Sequence, residues 1–272
     1  MNGATEPAPL YRYAERAPSA AIAPWVLSLW SFQSDVAPPE GESHSVWPDG
    51  CTSIGLVRIA SQPRAAMVVC VGPRITAMRP PVIAGQRLWG FRLWPDVVAT
   101  ATGVEAQSLR DFSGPAPGAI ARRFVGLDEA LPREDDVDVV LRALDAFLVS
   151  RLVGLVPPEP RIRAAVRAVV ASRGESPMTE VARESGLSLR QLQRRFPAAT
   201  GLTLRDFSRV RRLREALAQR LIAQPPGWSR VAAEVGFVDH AHLTREFVAL
   251  TGIQPSVAWR QLTRTAHDDV SP

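Results

Sequence analysis

Apolar residues follow two different rhythms along this chain. Up to about residue 95 they come in short runs punctuated by Gly, Pro and aromatic residues, the pattern of strands separated by tight turns. Trp25 to Phe32 is one such run. Pro48-Asp49-Gly50 reads as a turn, with Pro presetting φ and Gly accepting a positive φ, so His44 to Trp47 and Cys51 to Ile59 are predicted as two hairpin strands. Met67 to Val71 and Val82 to Trp94 are further strand candidates. From Asp96 the spacing turns helical, first over Asp96 to Ala106 and then over Pro117 to Val125. A longer helix is predicted over Asp135 to Leu152. There Val137, Val140, Leu141, Leu144, Phe147, Leu148 and Leu152 form one stripe, and Asp135, Asp136 and Asp138 favour the positive end of the helix dipole. That stripe either covers the sheet or forms a dimer interface. Gly154 to Pro160 carries three prolines and cannot be helix. It divides a domain over 1–153 from one over 161–263, with a linker at 154–160 and a flexible tail at 264–272.

The second half repeats itself. Val181-Ala182-Arg183-Glu184-Ser185-Gly186-Leu187 returns 50 residues later as Val231-Ala232-Ala233-Glu234-Val235-Gly236-Phe237. Leu192, Arg194, Phe196, Thr200 and Gly201 return 51 residues later as Leu243, Arg245, Phe247, Thr251 and Gly252, so one residue has entered the second copy's turn. Each copy spells a short helix, a glycine corner and a second helix. In the first, Pro177 to Glu184 with Ser176 as N-cap leads through Gly186 to Leu189 to Ala198, capped by Ser188. In the second, Val231 to Val235 leads through Gly236 to a helix capped by Asp239. Leu192 with Phe196, and Leu243 with Phe247, are four apart and face inward. This is a duplicated helix-turn-helix. Thr203 to Ala223 is predicted as a connecting helix, and about 20 residues at ~1.5 Å each make a spacer near 30 Å. One turn of B-DNA is about 34 Å, so the two second helices would reach successive major grooves on one face of the duplex.

Length and charge sharpen this picture. At roughly 150 residues per domain, 272 residues suggest two. All 32 basic residues are Arg. With no Lys there is no Schiff-base nucleophile, no Walker-A loop and no kinase nucleotide site. Residues 159–272 hold 18 Arg against 11 acids, a net of +7, and residues 1–158 a net of −2. A near-neutral half joined to a basic half suits a sensor or scaffold tethered to a nucleic-acid binder. Cys51 and Cys70 are too few for a disulfide framework or a zinc site, and no metal or cofactor is expected. Met1 to Leu10 lacks the basic flank and apolar core of a signal peptide, and no apolar run approaches the roughly 18 residues of a membrane helix, so the chain reads as cytoplasmic.

The spacing A-x-x-x-G-x-S-x-x-x-L-x-R-x-F-x-x-x-x-G over Ala182 to Gly201, followed by A-x-x-x-G-F, L-x-R-x-F and T-G-x-x-P over Ala232 to Pro255, resembles the AraC/XylS family of bacterial transcription regulators. The resemblance covers about residues 161–263. It implies an α+β chain: a β-rich N-terminal domain with helices and an all-α C-terminal domain with two helix-turn-helix motifs joined by a linker helix. It implies sequence-specific binding to double-stranded DNA and no catalysis. By position it implies base contacts from Arg190, Gln193, Arg194, His240, Ala241, Thr244 and Arg245, and phosphate contacts from Ser188, Arg195, Arg205 and Arg209. It permits a small-molecule effector and a homodimer. Two departures stand out: Thr203-Leu204 occupies a place where many members have Pro, and Trp259 falls one residue later than usual after Gly252. In the first half, Trp30, Trp47-Pro48-Asp49-Gly50, Val71-Gly72-Pro73 and Gly90-Phe91-Arg92 to Pro95 resemble an uncharacterised β-rich domain, half-barrel or cupin-like, that often precedes this module.

Each chemical reading has a plainer one beside it. Arg194 and Arg245 are surface salt-bridge residues or DNA contacts, and their identical place in two copies favours DNA; the contact is to a base edge or a phosphate. Arg205, Arg209, Arg211, Arg212 and Arg214 are a solvated helix face, with one or two of them on phosphates. His240 and His242 diverge by about 200° on a helix and cannot share a metal, so His240 is the DNA candidate and His242 a packing residue. His44 reads as structural beside Trp47. Five of the seven Trp lie in the first half. Trp30, Trp47, Trp89 and Trp94 with Arg92 line an effector pocket or are core. The competing class is an enzyme, alkyltransferase or cupin-type, fused to a DNA-binding module. It would need an activated cysteine or a multi-histidine cluster.

Overall fold

A computed structural model describes residues 10–39, 44–62, 65–156, 158–221, 226–262 and 265–268 of the chain. Seven strands form one sheet: β1 (Tyr11–Arg16), β2 (Val26–Ser34), β3 (Thr52–Ile59), β4 (Ala66–Val71), β5 (Gln86–Leu93), β6 (Ser113–Pro115) and β7 (Thr265–Asp268), in the order β6-β4-β3-β5-β2-β1-β7. Every neighbouring pair is antiparallel except β1 with β7. Two expectations fail here. His44 to Trp47 is no hairpin strand, because Val46 bridges Met78 instead of pairing with β3. Thr265–Asp268, expected as part of a flexible tail, is an edge strand on β1.

Alternation splits the sheet into two unlike faces. Leu29, Ile54, Leu56, Cys70, Trp89, Phe91 and Leu93 point to one side and are buried under a helical layer. That layer contains α1 (Val98–Thr102), α2 (Gly118–Arg123), α3 (Leu127–Ala130) and α4 (Val137–Leu152). The stripe Val140, Leu141, Leu144, Phe147, Leu148 and Leu152 of α4 lies buried against the sheet, which assigns it to core rather than to a dimer interface. Asp136 caps α4 through the Asp138 and Val139 amides. Arg58 of β3 stacks on Trp89 and donates to the Asp128 carboxylate and to the Asp128, Leu131 and Pro132 carbonyls, tying α3 to the sheet.

The other face is concave and floored by glycine. Gly55 of β3 pairs with Gly90 of β5, and the Trp30 indole lies over both. A Cβ at Gly90 would sit 2.5 Å from the Trp30 ring and one at Gly55 3.1 Å from it, so the two missing side chains form the seat of the indole.

After the Pro-rich stretch come α5 (Pro160–Ala171), α6 (Met178–Ser185), α7 (Leu189–Thr200), α8 (Leu204–Ala218), α9 (Trp228–Glu234), α10 (His240–Thr251) and α11 (Pro255–Leu262). The chain passes a boundary at 154–160, but the hydrophobic core does not. A single cluster runs from Ile22 through the sheet and α4 to Phe196 and Phe207. Gly50 lies close against the second half, where a Cβ would lie 2.6 Å from the Phe207 ring. A second cluster, Leu213 to Leu262, encloses α9 to α11, with Trp47 and Ile75 packed against it.

Candidate nucleic-acid interface

The two repeats fold as two helix-turn-helix units with matching local chemistry. In the first, α6 ends at Gly186 (φ +66°) and Ser188 caps α7 reciprocally with Gln191. In the second, α9 leads to Gly236 (φ +71°) and the Asp239 carboxylate accepts from the His242 amide at 2.6 Å. The recurring Thr-Gly pair gains a reason. Thr200 donates to the Phe196 carbonyl and accepts from the Leu202 amide, and Thr251 does the same with Phe247 and Ile253. Gly201 and Gly252 then take the left-handed conformation that ends each helix.

Leu192, Phe196 and Thr200 of α7 are buried, as are Leu243, Phe247, Leu250 and Thr251 of α10. What remains outward is polar. Arg190, Gln193 and Arg194 are exposed on α7; His240, Ala241 and Arg245 are exposed on α10, with Thr244 half-buried beside them. Arg194 and Arg245 stand six residues after their caps, and neither they nor Arg190 and Arg205 form an ion pair among the described residues. His242 turns inward, its ring edge-on to Phe237 and its Nδ1 accepting from the Val238 amide.

Three of the expected phosphate contacts are already engaged. Arg209 is bound to Glu246 of α10 at 2.7 Å and approaches Asp206, so it joins α8 to α10. Arg195 pairs with Glu159 at 2.5 Å. Ser188 Oγ serves the α7 cap. Arg205 alone of the four is exposed and unpaired among the described residues. The rest of the Arg run on α8 also turns away from solvent. Arg212 lies over the Phe237 ring, and Arg211 and Arg214 enter a cavity beneath the helix. The spacer is shorter than expected: α8 has 15 residues, about 22 Å at ~1.5 Å each, because the helix ends at Ala218. The closing Pro225 lies outside the described residues.

The cavity, of about 1130 Å³, lies between the concave sheet face and α8 and α11. Trp30, Trp47 and Arg92 line it; Trp89 and Trp94 do not. Trp89 is three residues from Arg92 on one strand and therefore on the opposite face, while Trp94 bonds the Ala23 carbonyl with Arg167 stacked on its ring. His44 packs against Tyr11 and Phe32 rather than Trp47. Arg92 is fully committed. It donates to Glu15 at 2.6 Å, Asp49 at 2.5 Å, the Tyr13 hydroxyl at 2.9 Å and Ser28. Burial pushes the Glu15 carboxyl up, but Arg92, Arg214 and the bonds from Ser28 and Tyr13 outweigh it and hold it at about 2. Sequence reasoning missed Tyr11, Tyr13, Asp49, Arg211 and Arg214 as cavity residues, and Glu15 as the partner of Arg92. The shared parity of Tyr11, Tyr13 and Glu15 was the available signal. Cys51 and Cys70 are buried, and burial pushes both thiols up to about 12, so neither is the activated nucleophile that a fused enzyme would need. No helix among the described residues is long and apolar enough to cross a membrane.

Residues 181–261 match a helix-turn-helix domain family. The chain is similar to the HTH-type transcriptional regulator RipA of Corynebacterium diphtheriae, 34% identical over 101 residues, and to RipA of Corynebacterium glutamicum, 36% identical over 101 residues. Each match covers 36% of this chain and 30% of the relative, so the chain spans about a third of the length of these curated relatives. Among solved structures it is similar to a transcriptional regulator with an AraC-type DNA-binding domain from Chromobacterium violaceum, at 22% identity and a TM-score of 0.34, over 38% of this chain and 91% of that one. Residues 181–261 form a helix-turn-helix domain of this family.

Proposed function

From this duplicated helix-turn-helix domain we infer that the chain is a DNA-binding transcription regulator of the AraC/XylS type that reads duplex DNA with α7 and α10 and is modulated through the cavity beneath α8. The observation that carries the reading is the matched pair Arg194 and Arg245. Both are exposed, both lack an ion-pair partner among the described residues, and both stand six residues after a capped start. An unpaired guanidinium at the same place in two copies is suited to guanine O6 and N7. Arg190, Gln193, His240, Ala241 and Thr244 extend the two reading faces, and Arg205 serves a phosphate. The protein works in the cytoplasm and performs no covalent chemistry.

The test is selection of a preferred duplex from a random library, followed by titration of the wild type, Arg194→Ala and Arg245→Ala on the selected and a scrambled duplex. Each substitution is expected to cost about 1–3 kcal/mol on the selected duplex and less on the scrambled one. Equal losses on both duplexes would reassign these residues to the backbone. Failure to enrich any sequence would sink sequence-specific reading altogether.

A further inference from the structure

The extra residue that separates the two copies is Val238. In the first unit the glycine corner runs through Gly186 and Leu187 straight into the Ser188 cap; in the second it runs through Gly236, Phe237 and Val238 before the Asp239 cap. Val238 is 87% exposed, more than any other large apolar side chain among the described residues. A single exposed valine is ordinary on a protein surface, but this one is held out by the turn itself. Phe237 before it is buried, its amide on the Ala232 carbonyl at 2.9 Å and its ring in contact with Arg212 and His242. The Val238 amide donates to His242 Nδ1, and the Asp239 carboxylate after it is engaged in the α10 cap. The backbone is thus fixed on both sides, and a β-branched side chain has little rotamer freedom of its own. The result is a stiff apolar knob at the entry to α10.

The two outward faces differ to match. With the caps aligned, Ala241 stands where the first copy has Arg190, Thr244 where it has Gln193, and Arg245 where it has Arg194. The first unit therefore opens on a long cation, and the second on two exposed apolar groups, Val238 and the small Ala241. A reading helix meets base edges with its N-terminal residues. In the major groove the apolar feature is the C5-methyl of thymine, against which small apolar side chains pack. We propose that Val238, with Ala241, reads a thymine methyl, so that the two units select different bases. Guanine and adenine edges suit Arg190, Gln193 and Arg194, and thymine suits the entry of α10. This rests on the function proposed above and adds what it leaves open, the base that the second unit prefers at its entry.

The duplex selected from the random library supplies the test, with the full-length protein. Its thymines are replaced one at a time by deoxyuridine, which deletes the C5-methyl and leaves the base pair intact. Wild type is expected to bind about four-fold more weakly when one thymine is replaced in the half that Arg245→Ala leaves less protected in a footprint. That factor is about the worth of one methyl-sized group withdrawn from water. Val238→Ser is expected to bind the thymine and uracil duplexes alike at that position, and to keep whatever sensitivity wild type shows in the other half. Because the side chain is almost wholly exposed, the variant should melt with wild type. Three results would each overturn the proposal while leaving base reading by Arg194 and Arg245 standing. They are a selected sequence with no thymine in that half, thymines there whose methyls make no difference, and a sensitive thymine that stays sensitive in Val238→Ser. Unchanged affinity of Val238→Ser for every duplex would also overturn it, and would turn the search for the knob's contact to a protein partner. Failure to enrich any sequence is the separate outcome that removes base reading itself, and this proposal with it.

Discussion

Gly201 and Gly252 occupy the same position in the two repeats and close the two reading helices with nearly the same backbone, φ +79° and +74°. Replacing either by Ala places a Cβ in the left-handed region, which costs about 1–2 kcal/mol. There the likeness ends. At Gly252 the nearest atom to the new Cβ is Arg79 Nη2 at 3.7 Å, ordinary contact with a movable side chain. At Gly201 the Cβ would meet Pro73 Cγ at 2.6 Å and the Ala106 carbonyl oxygen at 2.8 Å. Neither a proline ring nor a backbone carbonyl can step aside, so the end of α7 must lift off the first half of the chain. Overpacking of this kind costs about 1–3 kcal/mol more. Gly252→Ala is therefore expected to lose about 1–2 kcal/mol and Gly201→Ala about 2–5 kcal/mol. Thermal melts of the full-length variants separate the two cases, at about 2–4 °C per kcal/mol for a chain of roughly this size. Equal shifts would refute the claim that the first helix-turn-helix unit is welded to the sheet domain.

The Arg209–Glu246 pair is about three-quarters shielded, so a double-mutant cycle is expected to give a coupling of about 0.5–1 kcal/mol, and zero coupling would remove it as a tie between α8 and α10. Glu246→Gln frees Arg209 for a phosphate. The slope of log K against log salt should then steepen by about 0.9, and an unchanged slope would show that Arg209 cannot reach DNA. Neither Cys51 nor Cys70 should react with a thiol reagent at pH 8 until the protein unfolds, since both thiols are buried and pushed up to about 12; fast labelling of the native protein would contradict their burial. Glu15, held at about 2 against an ordinary 4.5, contributes stability that is complete above about pH 4.5 and lost as pH falls toward 2. Urea unfolding across that window should show up to about 3 kcal/mol less pH dependence in Glu15→Gln than in wild type.

The helix-turn-helix half was legible because its signals are local and duplicated. Caps, glycine corners and four-residue apolar spacing all act within a dozen residues, and two copies check each other. Errors fell at the ends. Pro177 sits extended (φ −56°, ψ 143°) and caps α6 from outside, and α7 continues through Pro197 to the Thr200 lock rather than stopping at Ala198. β1 was missed for a physical reason. Tyr11 and Tyr13 line the cavity and Glu15 of the same parity binds Arg92, so this face reads as polar and the usual alternation is masked. The pocket was half right. Strand parity alone separates Trp89 from Arg92, and that test was available in the sequence. The α8 and α11 walls were not, since they meet the sheet across more than a hundred residues of chain and no local pattern encodes that contact.

The two reading helices are therefore held very differently. The first shares its core with the sheet, through Phe207 against Gly50 and Gly201 against Pro73 and Ala106. The second closes a core of its own. Beyond the β7 strand paired on β1, the polar ties that hold it to the first half among the described residues include the Ala77 amide on the Leu250 carbonyl at 2.8 Å and Arg79 on the Thr251 carbonyl at 3.2 Å, with the Trp47 ring against Phe247 beside them. At about 0.5–1.5 kcal/mol per hydrogen bond these ties amount to a few kcal/mol. A ligand shifts an equilibrium only by its differential affinity for the two arrangements, about 1.4 kcal/mol for each factor of ten. One or two orders of magnitude in affinity thus suffice to loosen or fix the second unit, whereas undocking the first requires opening a continuous core. Under the proposed function, control therefore belongs to the joint at α8 and acts on the spacing between α7 and α10 rather than on either helix by itself.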